Sequence, residues 1–206
     1  MKVAILGGTG SFGRALAVRL RHAEVDALIG SRDAARGAEI AGEIGVAGAA
    51  NEEVVREADL VVLAVKAEAA LDTARQLAQA IGTTPLLSVA SALHFTKAGV
   101  LPGDGDRSIA ERVADLVDAP VAAGLHSLAA SNLGQLEPPE EDALVCGDDP
   151  EAKEASLALA AKLVTGRAVD AGPLASARAL EGLTAVIVNV NRRYKAHAGF
   201  RVTGLA

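Results

Sequence analysis

The run Gly8-Thr9-Gly10-Ser11-Phe12-Gly13 has the spacing GxGxxG. Glycines so spaced can serve three purposes: a tight turn, close approach of backbone to a pyrophosphate, and close packing of a helix on a strand. A helix opened by such a run points free N-terminal amides and its aligned peptide dipoles at the phosphates. A merely structural turn is the alternative, but the surroundings argue for a dinucleotide site. The preceding "KVAIL" is a β-branched apolar run, and Phe12, Leu16 and Leu20 follow at helical spacing.

Ser31 lies 18 residues after Gly13 and is followed by Arg32. At about that distance, dinucleotide-binding chains usually carry an acidic residue that accepts a bond from a free ribose 2′-hydroxyl. A carboxylate about 4 Å from a 2′-phosphate would be repelled by about 4 kcal/mol per charge pair at a near-surface dielectric, whereas an arginine grips the phosphate with two hydrogen bonds. Ser31 and Arg32, with Arg36 one helical turn on, therefore favour NADP(H) over NAD(H). The alternative is that both arginines are simply solvated.

Reduction of a carbonyl usually needs a proton donor beside the hydride acceptor. The single tyrosine, Tyr194, is followed four residues later by Ala198, which excludes the Tyr-x-x-x-Lys pair of the short-chain dehydrogenases. None of the histidines 22, 94, 126 and 197 pairs with Cys or a carboxylate at metal-ligand spacing, so no metal is expected. His126, in "GLHSL" at the end of a predicted strand, either lines a pocket or is a satisfied structural histidine. A cofactor site with no evident acid, base or nucleophile points to hydride transfer between two cofactors, where proximity and orientation carry most of the rate.

The elements that must position these residues alternate. "DALIG" reads as a strand, "AARGAEIAGEI" as a helix with Ile40 and Ile44 four apart, "ADLVVLAV" as a strand buried on both faces, "ALDTARQLAQAI" as a helix and "PLLSVA" as a strand. This order predicts an α/β fold, a Rossmann-type, doubly wound, mostly parallel sheet with a small C-terminal helical segment. Farther on, "GVLPGDGDRS" reads as a loop, 108–117 as a helix, "VAAGLHSL" as a strand, "QLEPPEED" as a surface loop and "ALVCG" as a strand. "DDPEAKEASLALAAKLV" reads as a helix with Asp148 or Asp149 at its N-cap and Pro150 in its first turn. The last helix runs from about 175 to 194. Residues 1–170 are expected to form the NADP-binding domain and residues 171–206 a C-terminal helical segment completing the pocket, without a boundary that would make two independent domains.

At 206 residues the chain can bury a core without disulfides or metals. Its net charge of −6 and its four aromatic residues argue against a nucleic-acid surface. The charge is uneven: residues 171–206 carry Arg178, Arg192, Arg193, Lys195 and Arg201 against Glu181, leaving the remainder at −10. The apolar run Leu60 to Val65 stops at Lys66, far short of the roughly 20 residues that span a bilayer, so no membrane partner is expected. "MKVAILGGTG" reads as a first strand and not as a signal peptide, and the lone Cys146 fits a reducing cytoplasm.

Several stretches together resemble the NADP-dependent oxidoreductases of the deazaflavin coenzyme F420. They are "ILGGTGSFG" with "IGSR", "GDRSIAERVADL", "GLHSL", "VCGDD", "DAGPL" followed by Arg178, Glu181 and Thr184, and "NRRYKAHAGFRVTG". The resemblance implies reversible hydride transfer between nicotinamide and deazaflavin at the carboxyl edge of the sheet, in a homodimer. By position it implies that Gly8, Thr9, Gly10, Ser11, Phe12 and Gly13 hold the pyrophosphate, that Ser31, Arg32 and Arg36 hold the 2′-phosphate, and that Val65 joins the cofactor site. It further implies that His126, Leu128 and Thr184 border the two rings, with Arg178 near that end. F420 carries a phosphate and a glutamate tail, for which Arg192, Arg193 and Lys195 are candidates; otherwise these residues simply complement the end of the last helix. The chain departs from the family's usual pattern at Lys66 and Ala67, at Leu128, at Gly182 and between Ser88 and Leu93. Two other readings stay open. One is an NADPH-dependent imine or keto reductase of the pyrroline-carboxylate type, although those enzymes add a long helical dimerisation domain. The other is a non-catalytic NADP sensor.

Overall fold

The structure is a computed structural model describing residues 1–205. Its first half is regular: β1 (Lys2–Leu6), α1 (Ser11–His22), β2 (Asp26–Ser31), α2 (Ala34–Ile44), β3 (Ala47–Ala50), α3 (Asn51–Arg56), β4 (Leu60–Leu63), α4 (Ala67–Ile81) and β5 (Leu86–Ser88). There follow β6 (Leu93–Phe95), β7 (Val100–Pro102), α5 (Ile109–Ala114), β8 (Val121–Gly124), α6 (Ala130–Leu133), β9 (Ala143–Gly147), α7 (Pro150–Leu163), β10 (Ala168–Asp170), a 3-10 turn (Leu174–Ser176) and α8 (Ala177–Tyr194). Eight strands form one sheet in the order β10-β9-β8-β5-β4-β1-β2-β3, and every neighbouring pair is parallel except β8–β9. The predicted doubly wound α/β architecture is present.

The strands β1 and β4 are buried on both faces because helices cover both sides, which is why they read as unbroken apolar runs. Ile5, Leu16, Leu20, Ile40 and Leu163 pack on one face beneath α1, α2 and α7, and Leu6, Leu63, Ala74, Leu77 and Ile81 on the other beneath α3, α4 and α5. The chain leaves β1 toward β2 and β3, then crosses back to β4 and β5. The connections above β1 and β4 therefore diverge and open a crevice at the carboxyl edge. Among the described residues no helix is long and apolar enough to cross a membrane.

Capping follows the side chains. Asp33 accepts from the Arg36 amide at 3.2 Å, and Asp149 accepts from the Ala152 amide at 3.0 Å with Pro150 next to it, as anticipated. Asp148 turns the other way and accepts from the Leu174 amide.

Four expectations change. The stretch read as a loop before α5 contains β7, which forms an antiparallel hairpin with β6. Gly99, at φ +147°, turns the hairpin, and Asn189 of α8 pairs both backbone groups of Val100 at 2.7 and 2.8 Å, standing in for a third strand. The strand through "GLHSL" ends at Gly124, because Leu125 is left-handed at φ +63°. The short edge strands β3 and β10 were unforeseen. Alanine and glycine weaken the strand signal of β3, and a Cβ on Gly48 would lie 2.5 Å from the Gly37 carbonyl of α2. Finally, "QLEPPEED" is not all surface, since Glu141 and Asp142 at its end are buried.

Asp142 is fully buried and ties down the C-terminus. It accepts from the guanidinium of Arg167 at 2.8 Å, from the Arg167 amide at 2.8 Å and from the Val202 amide at 2.8 Å. Its own amide donates to the Phe200 carbonyl at 2.7 Å, while Arg167 also donates to the carbonyls of Val202 and Leu205. The Arg167 guanidinium, followed by the Val202 amide, holds the Asp142 carboxyl well below the usual carboxylate range.

Candidate functional site

A cleft of about 610 Å³ opens where the fold predicts, above the carboxyl ends of β1, β2, β4 and β5. Its floor is the glycine turn. Gly7 is left-handed at φ +85°, and a Cβ there would lie 2.8 Å from the Ala64 carbonyl. A Cβ on Gly13 would lie 2.4 Å from the Gly7 carbonyl, so the turn can close onto α1 only with hydrogen at that position. The N-terminus of α1 has no side-chain cap and no acidic residue in its first turn. Its amides face the cleft beside Thr9, Gly10, Ser11 and Phe12, a cradle that fits a pyrophosphate.

At the end of β2, Ser31 and Arg32 line the same cleft. The Ser31 hydroxyl accepts from the Asp33 amide at 3.2 Å, which fixes the turn, and Arg32 forms no ion pair among the described residues. Arg36 is placed differently: it is exposed and held by Glu39 at 2.7 Å, and it does not line the cleft. Opposite, Val65 lies on the wall with Lys66 and Ala67 at the start of α4, and Asn51 closes the side nearest β2. A Cβ on Gly30 would lie 2.7 Å from the Asn51 side-chain oxygen. Sequence reasoning assigns none of Asn51, Lys66 and Ser91 to the site, and it notes Lys66 and the stretch around Ser91 only as departures from the family pattern. Of these, Lys66 carries a signal, as the first charged residue past the apolar run that ends at Val65. The charged lining residues are Arg32, Lys66 and Asp33.

The far end of the cleft is lined by Val89, Ala90, Ser91 and Leu93 after β5, and by Thr184 of α8. Thr184 donates to the His126 carbonyl at 2.9 Å, and its hydroxyl lies 2.9 Å from that of Ser91. The His126 ring and Leu128 lie behind this wall, 6% and 5% exposed. Among the described residues neither ring nitrogen of His126 has a hydrogen-bond partner. Burial pushes its pKa down to about 4; the nearby Ala90 backbone opposes this without making a hydrogen bond, and the ring is neutral at pH 7. His126 therefore shapes the wall through its backbone and its bulk.

Arg178 is committed to the protein, donating to the carbonyls of Gly105 at 2.7 Å and Gly103 at 2.6 Å and so holding the loop before α5. Glu181, 2% exposed, accepts from the Ile109 amide at 2.6 Å and ties α8 to α5, and burial raises its pKa. Arg192, Arg193 and Lys195 are exposed at the end of α8, with Arg192 about 12 Å along the helix from Thr184 at 1.5 Å per residue.

The chain is similar to known proteins of one family. Residues 2–92 match the family described as NADP oxidoreductase coenzyme F420-dependent. The F420-dependent NADP reductase of Methanothermobacter thermautotrophicus is 34% identical over an alignment covering all of this chain and 96% of that protein. The enzyme of the same name from Methanocaldococcus jannaschii is 33% identical, covering all of this chain and 99% of its own. A crystal structure from Arthrobacter sp. FB24, described as a candidate F420-dependent NADP reductase, superposes with a TM-score of 0.85 over 98% of this chain and 99% of that one; at 24% identity it speaks to fold alone.

Proposed function

The chain belongs to the family of F420-dependent NADP reductases, and from that premise we propose that it transfers a hydride reversibly between NADP(H) and the deazaflavin coenzyme F420. The observation that carries this reading is the chemistry of the cleft's far end. Val89, Ala90, Ser91, Leu93 and Thr184 offer no side chain able to protonate a carbonyl or an imine. Between the two bound cofactors a hydride passes from carbon to carbon, the accompanying proton being exchanged with solvent at the deazaflavin. Such a reaction asks the protein for proximity, orientation and exclusion of water.

Each wall then has its part. The amides at the start of α1 take the pyrophosphate, and Arg32 with Ser31 takes the 2′-phosphate. Arg36 can join them only by leaving Glu39. Lys66 adds the second positive charge of the lining, so that Arg32, Lys66 and Asp33 sum to +1 toward a strongly anionic ligand. Thr184, with His126 and Leu128 behind it, shapes the ring end, and Arg178 supports that end by holding the loop of Gly103 and Gly105. Arg192, Arg193 and Lys195 form the basic end of α8 toward which the phosphate and glutamate tail of F420 is drawn. Mixing the protein with NADPH and oxidised F420 should bleach the visible deazaflavin absorbance, with NADH much less effective at equal concentration. Binding of NADPH without bleaching would instead favour a sensor.

We also propose that the protein works as a homodimer. Phe95 and Leu101 on the hairpin are 72% and 52% exposed, and Val186 on α8, the helix packed against that hairpin, is 54% exposed. Phe95 lies on the hairpin face of Val100 and Leu101 on the opposite face, so exposed apolar side chains on both faces of the hairpin and on the adjoining helix favour association. Sedimentation should give one species of twice the 20.8 kDa chain mass, and a monomer at micromolar concentration would contradict it. A reducing cytoplasm suits the lone Cys146, whose buried thiol is pushed up to about 12 and so remains a thiol.

A further inference from the structure

The hydroxyl chain at the far end of the cleft has a fixed direction. The His126 carbonyl can only accept, so the single Thr184 hydroxyl proton, 2.9 Å away, is directed at it. The Ser91 hydroxyl lies 2.9 Å from the Thr184 oxygen, which has no second proton to give, so Ser91 must be the donor in that contact. Both protons therefore point inward. Ser91 lines the cleft, half-buried, and has only lone pairs left to offer a ligand. Its neighbours on the wall, Val89, Ala90 and Leu93, present apolar side chains that do not satisfy those lone pairs. The arrangement is held from behind, because Ala185 and Ile187 of α8 are buried and Glu181 fastens the helix to α5.

We propose that Ser91 is an obligate hydrogen-bond acceptor that orients a ring-borne amide N–H of the bound cofactors. This rests on the hydride-transfer reading above. Two groups supply that chemistry: the carboxamide of the nicotinamide and the imide N–H of the deazaflavin pyrimidine ring. A ligand presenting an acceptor at the same point, a ketone or a carboxylate, meets lone pairs with lone pairs and is disfavoured. Ser91 acts on geometry and discrimination, and it moves no proton in the reaction.

Equilibrium binding separates this role from general stability and from turnover. Ser91→Ala should bind NADP about threefold to tenfold more weakly than the wild type, the range expected for one neutral hydrogen bond. Binding of the 3-acetylpyridine analogue of NADP, which keeps the carbonyl and lacks the N–H, should be unchanged by the substitution. That pattern identifies the carboxamide as the donor. If instead Ser91→Ala weakens F420 binding and leaves an N3-methylated deazaflavin unaffected, the imide is the donor, and the acceptor role equally stands. The inference is overturned if Ser91→Ala alters all four ligands alike, or none of them. Wild-type protein assayed in parallel for deazaflavin bleaching keeps this failure distinct from failure of the hydride-transfer reading.

Discussion

Arg32→Glu should raise the Michaelis constant for NADPH by at least about a hundredfold, while that for NADH changes by less than about threefold. The substitution removes a charge-assisted contact of about 1.5–3 kcal/mol and places a carboxylate where repulsion from the 2′-phosphate reaches about 4 kcal/mol per charge pair at a near-surface dielectric. Solvent screening reduces the second figure, and a hundredfold effect still requires only about 2.7 kcal/mol in all. Arg32→Ala, losing the attraction without gaining the repulsion, should fall between, at tenfold or more for NADPH. Steady-state kinetics with both cofactors at low and high salt checks the assignment. Attenuation by salt is expected for NADPH, and equal losses for both cofactors would remove Arg32 from the 2′-phosphate. Because Arg36 is neutralised by Glu39, Arg36→Ala should have the smaller effect.

Asp142→Ala should cost about 2–4 kcal/mol of stability. Breaking a buried pair from one side typically costs 3–5 kcal/mol, but the Arg167 side chain is 35% exposed and recovers part of its solvation. For a chain of this length that corresponds to a fall of roughly 5–12 °C in Tm. The substitution also removes the acceptor of the Val202 amide, so proteolysis should begin in residues 199–205, which are pinned through Asp142 and Arg167. Thermal melts together with limited proteolysis provide the measurement. An unchanged Tm with an uncut tail would mean that residues 199–205 are held by something other than this pair.

What could be read from the chain alone was whatever a short stretch determines. The glycine turn, the apolar runs of β1 and β4, the helix start at Asp149-Pro150 and the basic residue at the end of β2 each depend on neighbours a few positions away, and each is where the spacing puts it. Features that depend on distant partners were invisible. The strand β7 is completed by Asn189 of α8, so its sequence carries turn formers and little alternation. Asp142 looks like one more acidic loop residue until Arg167 and the tail close around it. Ser91 acquires its direction from Thr184, 93 residues away, and from a carbonyl on a third segment. The arginines divide in the same way. Arg32 lines the cleft, whereas Arg36 and Arg178 are engaged by Glu39 and by two loop carbonyls, which no spacing rule reveals.

The central claim is that this protein brings two rings together and leaves the hydride to pass directly between their carbons. NADPH carrying deuterium at the transferable C4 position, mixed with oxidised F420 and the protein in ordinary water, should yield reduced deazaflavin with the label on C5, detected by mass spectrometry or NMR. Reduced deazaflavin without label, or label lost to the solvent, would contradict direct transfer and require a protein group in the path that the cleft does not contain.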